Sequence, residues 1–159
     1  MKASELSWLS NIAAKMTSIV EVGSFKGKST HAFLNSCTGP VYAVDTFCGS
    51  PVKREFIYDN EPDVYSEFMK NVGHFKNLVP MRMCSIDAAL MFEPKSIDLV
   101  FIDGCHEYES VVEDLLAWRS VCKKILCGHD IRSDNVKSAL KDMGIDYEIK
   151  AGDIWCHEC

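Results

Sequence analysis

The sequence has no long apolar run, no excess of basic residues and no second pair of closely spaced cysteines. No stretch reaches the ~20 apolar residues that a membrane-spanning helix needs. The net charge of −6 and the pI near 5.3 provide no positive field for a phosphate backbone. The start MKASELSWLS has a glutamate and serines where a signal peptide carries its apolar stretch. We therefore expect a cytoplasmic protein that binds neither membrane nor nucleic acid.

The eight cysteines do not predict the disulfide framework of a small secreted protein, because they are scattered through ordinary strand and helix patterns. Reduced thiols are the expectation. Only Cys156-His157-Glu158-Cys159 has the spacing of metal ligands, and a zinc site usually takes a second such pair. A zinc site and a terminal strand with incidental cysteines both stay open for this tail.

The pattern of apolar residues predicts one domain, 1–159, of alternating strands and helices. A helix is predicted from Ser4, its candidate cap, to about Lys15. Five strands are then predicted at TSIVEVG, GPVYAVDTF, NLVPMRMC, SIDLVFIDG and KKILCGHDI, and two short ones in the tail around 151–153. This order predicts an α/β fold of three layers. Its doubly wound, mainly parallel sheet has seven strands and ends in an antiparallel hairpin.

Helix patterns fill the segments between the strands. They cover KSTHAFLNS, 65–72, 87–91, 110–121 and 133–144. On the helix 110–121, the apolar residues predicted to face inward are Val111, Val112, Leu115 and Leu116. The polar stretch 47–62 interrupts this rhythm, and we expect it to form a mobile cover over an active site.

The stretch EVGSFKGKST, residues 21–30, nearly matches two nucleotide-binding motifs. Three residues separate Gly23 from Gly27, where the phosphate-binding loop G-x-x-x-x-G-K-[ST] needs four. A dinucleotide-binding turn needs G-x-G-x-x-G, and Phe25 takes the place of its second glycine. Both nucleotide interpretations are therefore weak, and a tight turn that binds nothing is the structural alternative.

An acidic residue at the end of the next strand completes a different pattern. Glu21, Gly23, Gly27 and Asp45 resemble the first two motifs of class I S-adenosylmethionine-dependent methyltransferases. The segments AVDTFCGSP, SIDLVFIDGCHEYESVVEDLLAW and ILCGHDI are similar to those of sugar and antibiotic O-methyltransferases of the macrocin type. The resemblance spans about residues 18–140 and implies a Rossmann-like methyltransferase fold.

The resemblance implies S-adenosylmethionine as the cofactor. The glycine loop would pass beside its methionine part, and Asp45 would hold both ribose hydroxyls. A sulfonium cofactor without phosphates gains most from carboxylates, which agrees with this arrangement. The cofactor-binding residues so implied are Glu21, Gly23, Ser24, Phe25, Gly27, Ser29, Asp45, Thr46, Ser85, Ile86 and Asp103.

Catechol-type O-methyltransferases suggest the catalytic residues. In those enzymes two aspartates at adjacent strand ends bind Mg²⁺, and a lysine three residues after the first aspartate acts as the base. The matching positions are Asp103, Asp130 and His106, so the resemblance implies Mg²⁺ on Asp103 and Asp130, with His106 and Asp103 catalytic. A further oxygen ligand follows the second aspartate in those enzymes, whereas this chain has Ile131. Helix capping is the alternative role for the two aspartates.

Two functions are open at this point. The first is methyl transfer to an oxygen of a small-molecule acceptor. The second is a catalytically inactive domain that binds the cofactor or a partner. The chain has no insertion large enough for an acceptor domain. We therefore expect the acceptor to be bound by the N-terminal helix, the loop 47–62, the segment after Asp130, or a second subunit of a homodimer.

Overall fold

Strands and helices alternate along the described chain up to the last two strands, which follow each other directly. The computed structural model describes residues 1–48 and 63–159, and these form seven strands and six helices. The strands are β1 Ile19–Val22, β2 Val41–Asp45, β3 Leu78–Arg82, β4 Ile97–Ile102, β5 Cys122–Gly128, β6 Glu148–Ala151 and β7 Ile154–Glu158. The helices are α1 Ala3–Ala13, α2 Lys28–Ser36, α3 Val64–Val72, α4 Ser85–Ala89, α5 Tyr108–Val121 and α6 Asp134–Asp142.

The seven strands form one sheet in the order β3-β2-β1-β4-β5-β7-β6. Strands β1 to β5 pair in parallel, and β7 is antiparallel to both β5 and β6. Every residue of β1 and β4 is buried, as expected for central strands that helices cover on both faces. The predicted fold class, with its C-terminal antiparallel hairpin, is confirmed.

Each face of the sheet has its own apolar core. One core joins the sheet to α4, α5 and α6 and includes Leu115, Trp118 and Leu140. The other joins it to α1, α2 and α3 and includes Phe33 and Phe68. The molecule therefore has three layers, because a parallel sheet has two apolar faces to bury.

The structure corrects the predicted inner face of α5. Leu116 was expected to point inward, but it is 59% exposed. The buried stripe instead consists of Val111, Leu115 and Trp118, spaced by four and three residues. The indole Nε1 of Trp118 donates a hydrogen bond to Ser85 Oγ at 2.8 Å, so the larger side chain has both a core position and a polar partner.

Several helices begin earlier than the sequence predicts, and α5, for example, begins at Tyr108 rather than at residue 110. Helix α1 has Lys2 rather than Ser4 as its N-cap, and the carboxylate of Glu5 accepts a hydrogen bond from the Lys2 backbone N–H at 2.5 Å. Helix α4 begins at Ser85, two residues before the predicted start. Of the predicted cover 47–62, only Phe47 and Cys48 lie within the described residues. Among the described helices, none has the length and apolarity to cross a membrane.

The topology gives this sheet one natural crevice. Strand β1 lies between β2 and β4, so the order of the strands reverses beside it. In open α/β sheets ligands bind outside the carboxyl ends of the strands at such a switch point. The glycine loop after β1 and the Asp103 loop after β4 both lie there.

Candidate active site

A cavity of about 420 Å³ opens at the carboxyl ends of β1, β2 and β4. Helices α3, α4 and α5 also contribute to its wall. The lining residues are Val22, Gly23, Phe25, Val44, Asp45, Thr46, Phe47, Val64, Met83, Cys84, Ser85, Ile86, Asp103, Gly104, Cys105, Ser110, Glu113 and Asp114. The cavity thus brings together seven of the eleven residues implied for the cofactor, namely Gly23, Phe25, Asp45, Thr46, Ser85, Ile86 and Asp103.

Gly23 is required by the close approach of two loops. Its φ is +88°, and a Cβ placed there would lie 2.2 Å from the carbonyl oxygen of Asp103. No side chain fits at that distance. The β1 and β4 loops can therefore touch only because residue 23 is a glycine.

One carboxylate fixes the shape of the glycine loop. Asp45 Oδ2 accepts a hydrogen bond from the Phe25 N–H at 2.8 Å, and Asp45 Oδ1 accepts one from the Phe47 N–H at 2.7 Å. Phe25 has a positive φ of 46°, so this bond holds a backbone conformation that L residues rarely adopt. A carboxylate offers about four acceptor positions, which leaves Asp45 capacity for a ligand.

Four residues implied for the cofactor do not line the cavity. Glu21, Ser24 and Ser29 are buried beneath the loop, and the Thr30 hydroxyl donates a hydrogen bond to Glu21. Gly27 lies against α3, since a Cβ there would be 3.1 Å from the side chain of Val72. These residues support the loop from behind.

Lys28 has no part in the cavity. In a phosphate-binding loop the lysine of G-K-[ST] reaches the phosphates. Here Lys28 Nζ donates a hydrogen bond to the backbone carbonyl of Met1 at 2.8 Å. This stretch therefore resembles a phosphate-binding loop in sequence but not in the position of its lysine.

The wall formed by α4 and α5 contains a buried carboxyl that the sequence analysis missed. Ser85 Oγ donates a hydrogen bond to Asp114 Oδ1 at 2.5 Å and accepts one from Trp118 Nε1. Asp114 belongs to the inner stripe of α5, three residues after Val111. The position of Asp114 among the apolar residues of the inner stripe could have identified it in the sequence.

A cluster of carboxyl and imidazole groups lies at the ends of β4 and β5, where Asp103 also lines the cavity. Asp130 Oδ2 lies 3.2 Å from His106 Nε2 and 3.2 Å from His129 Nδ1. His129 Nδ1 lies 3.7 Å from Asp103 Oδ1. The structure therefore brings Asp103, His106 and Asp130 together, with His129 between the two aspartates.

Helix α1 reaches this cluster through Glu5, a residue that no motif in the sequence singles out. The side chain of Glu5 is 1% exposed, and its Oε2 lies 3.6 Å from His129 Nε2. The backbone N–H groups of Lys2 and Asp153 donate hydrogen bonds to the same carboxylate at 2.5 and 3.1 Å. Glu5 thus links the N-terminal helix, the β6–β7 turn and the loop of Asp130.

The sequence of residues 20–131 matches the model of the methyltransferase domain family. This match covers more than half of the chain. The chain belongs to that family. As a methyltransferase, it uses S-adenosylmethionine as the methyl donor, and this assignment favours an enzyme over the inactive binding domain.

Solved structures of similar fold agree with this assignment. The O-methyltransferase NovP superposes with a TM-score of 0.72 at 14% identity, over 98% of this chain and 79% of its own. A protein from Corynebacterium glutamicum superposes with a TM-score of 0.71 at 13% identity, over 99% of this chain and 81% of its own. A putative O-methyltransferase from Klebsiella pneumoniae superposes with a TM-score of 0.68 at 15% identity, over 99% of this chain and 80% of its own. At these identities the likeness establishes the fold alone. Among curated proteins, no sequence matches the chain significantly.

Burial perturbs three acidic groups in and beneath the cavity. It raises the pKa of Glu21 to about 7, the pKa of Asp103 to about 7 and the pKa of Asp114 to about 6. A hydrogen bond to Asp130 raises the pKa of His129 and lowers that of Asp130. The site therefore combines carboxyl groups that keep their protons to a higher pH than usual with an imidazole whose charged form is stabilised.

Because burial raises the pKa of Glu21, the free energy of unfolding should depend on pH. The folded state binds this proton more tightly than the unfolded state. The stabilising contribution is therefore complete below the ordinary pKa of 4.5 and is lost as the pH rises through about 7. The shift corresponds to about 3 kcal/mol. Urea unfolding measures this difference. The free energy of unfolding of wild type minus that of Glu21→Gln should fall by about 3 kcal/mol as the pH rises from 4.5 to about 7.

A matched control is Glu93→Gln, which changes an exposed carboxyl. The pH-dependent fall for Glu21→Gln should exceed any change with pH that this control shows. If the difference for Glu21→Gln changes no more than that of the control, the Glu21 carboxyl does not titrate as described.

Proposed function

We propose that this methyltransferase transfers the methyl group of S-adenosylmethionine to an oxygen atom of a small molecule. The observation that carries the cofactor part is the charge of the cavity. Its described lining residues include four carboxyl side chains and no lysine, arginine or histidine. A cofactor with cationic sulfonium and ammonium groups suits such walls, whereas a nucleotide phosphate would meet like charge without a counterion.

The described residues fit this cofactor in three ways. Gly23 exposes backbone that a ligand can approach closely, the acceptor positions left on Asp45 suit ribose hydroxyls, and Ser85 and Ile86 supply a wall for the adenine. When bound, the cofactor supplies a methyl group on a positively charged sulfur. Asp103 lies between this cavity and the imidazole cluster, so the acceptor oxygen would sit beside it.

His106 is the proposed base for the acceptor hydroxyl. Its side chain is 53% exposed, and its Nε2 lies 3.2 Å from Asp130 Oδ2, which can orient the ring. The side-chain amide of Asn135 donates a hydrogen bond to the His106 carbonyl at 3.1 Å and so ties this loop to α6. Two of the similar structures are O-methyltransferases, which supports an oxygen acceptor. The finer likeness to enzymes of the macrocin type is part of the same proposal.

A divalent cation is a separate part of the proposal. Asp103, His129 and Asp130 each offer a ligand atom, and these atoms lie within 4.8 Å of one another. Ile131 is buried, so His129 takes the place of the further ligand found in catechol-type enzymes. Two carboxylates and the deprotonated imidazole of His129 would hold Mg²⁺ or Mn²⁺, and His129 would release its proton on binding. A cation there would direct the acceptor oxygen and lower its pKa.

The cofactor proposal predicts a large effect of Asp45. Asp45→Ala should weaken the binding of S-adenosylhomocysteine about ten- to a hundredfold, because charge-assisted hydrogen bonds are worth about 1.5–3 kcal/mol. Asp45→Asn should lose less, since its amide oxygen still accepts a hydrogen bond. Calorimetric titration measures both affinities. The matched control is Asp134→Ala on α6, an exposed position outside the cavity, which should bind as wild type does. Unchanged affinity in Asp45→Ala would remove Asp45 from the cofactor site.

The proposed base predicts a separation of catalysis from binding. His106→Ala should lower turnover of a phenol or sugar hydroxyl acceptor that wild type methylates by ~10²–10⁴-fold, the range for loss of a general base. Its affinity for S-adenosylhomocysteine should stay the same. The control is His74→Ala, at an exposed histidine that follows the C-terminal end of α3 and does not line the cavity.

The same assay in EDTA tests the cation. Activity that falls in EDTA and returns with Mg²⁺ or Mn²⁺ would support the metal ligands. Activity that persists unchanged would assign Asp103 and Asp130 to direct contact with the acceptor. Equal turnover by His106→Ala and wild type would contradict the role of His106.

A further inference from the structure

Two cysteine sulfurs meet at the end of the sheet opposite the active site. Cys122 is the first residue of β5, and Cys159 directly follows β7. Their Sγ atoms lie 2.6 Å apart. The antiparallel pairing of β5 with β7 fixes this neighbourhood, and the Cys159 N–H donates a hydrogen bond to the Lys124 carbonyl at 2.8 Å.

We propose that Cys122 and Cys159 are a modification site at which a low-molecular-weight disulfide such as oxidised glutathione produces an internal disulfide bond. The two sulfurs are already neighbours on paired backbone, so bonding requires little movement of the strands. The proposal does not depend on the proposed function. It adds a redox reaction to a chain whose cysteines the sequence predicts to be reduced.

The two thiols differ in ways that suit such an exchange. Cys159 is exposed and can meet an oxidant, whereas Cys122 is fully buried. The contact between the two thiols lowers the pKa of Cys159 and raises that of Cys122, so Cys159 is the thiol that ionises first. The thiolate is the attacking species in thiol–disulfide exchange.

The exchange balances in two steps. The Cys159 thiolate attacks one sulfur of the small disulfide, forms a mixed disulfide and releases one small thiolate. Cys122 then gives its proton to solvent or to that thiolate, and its sulfur attacks the Cys159 sulfur and releases the second small thiol. Two protein thiols are oxidised while one small disulfide is reduced to two thiols.

The bond would close a ring of chain that contains β5, the loop of Asp130, α6 and the β6–β7 hairpin. A cross-link over such a length stabilises a protein mainly by restricting its unfolded state. Strand β5 spans about 20 Å at the usual rise per residue, so the sulfur pair is remote from Asp103 and Asp130. We therefore expect a gain in stability with little change in the binding of S-adenosylhomocysteine.

The experiment oxidises the folded protein with glutathione disulfide, blocks the remaining thiols, digests with trypsin and maps the cross-link by mass spectrometry. The expected product joins the peptide 120–123 to the peptide 151–159, with a loss of two hydrogen atoms that dithiothreitol reverses. Since the second peptide also contains Cys156, the product should form in Cys156→Ser and be absent in Cys159→Ser. Cys48→Ser, at an exposed cysteine elsewhere, should react as wild type does.

The melting temperature is the second readout. Oxidised wild type should melt roughly 5–15 °C higher than the reduced protein, and Cys159→Ser should not change. Glutathione retained on Cys159 with Cys122 free would overturn the proposal. So would a cross-link that persists in Cys159→Ser, or a cross-linked protein that melts no higher than the reduced one.

Discussion

The contact between Gly23 and the carbonyl oxygen of Asp103 is the constraint on which the site depends. A side chain at residue 23 would overlap that oxygen, so only glycine allows the loops after β1 and β4 to meet. Their contact forms the floor of the crevice at the point where the strand order reverses. The Asp45 carboxylate then fixes the loop above the floor through the N–H groups of Phe25 and Phe47.

The second organising feature is the distribution of charge around this floor. Carboxyl groups gather at the carboxyl ends of the strands, where burial makes their ionisation costly, as the pKa of Asp103 shows. The imidazole of His129 partly offsets the repulsion between these carboxyl groups, since it lies near Asp103, Asp130 and Glu5. Through Glu5, helix α1 contacts this cluster directly.

Local patterns predicted most of the fold, because strand and helix periodicities and the glycines of the first turn act over a few residues. They also placed Asp45 and Asp103 at strand ends, where the parallel sheet brings them together. Contacts between distant segments were not predictable. Nothing local indicates that Lys28 turns toward Met1, or that Trp118 displaces Leu116 from the inner face of α5 by bonding Ser85. The position of Asp114 in the cavity wall depends on the same contact between α5 and Ser85.

The central claim is that this acidic crevice holds S-adenosylmethionine and not a nucleotide with phosphates. Thermal unfolding of the wild-type protein with increasing S-adenosylmethionine, S-adenosylhomocysteine, ATP or NAD tests it most directly, because a ligand that binds only the folded state must raise the melting temperature. The account predicts a rise that grows with the concentration of the first two ligands and none with ATP or NAD. A rise with ATP or NAD and none with S-adenosylhomocysteine would contradict it.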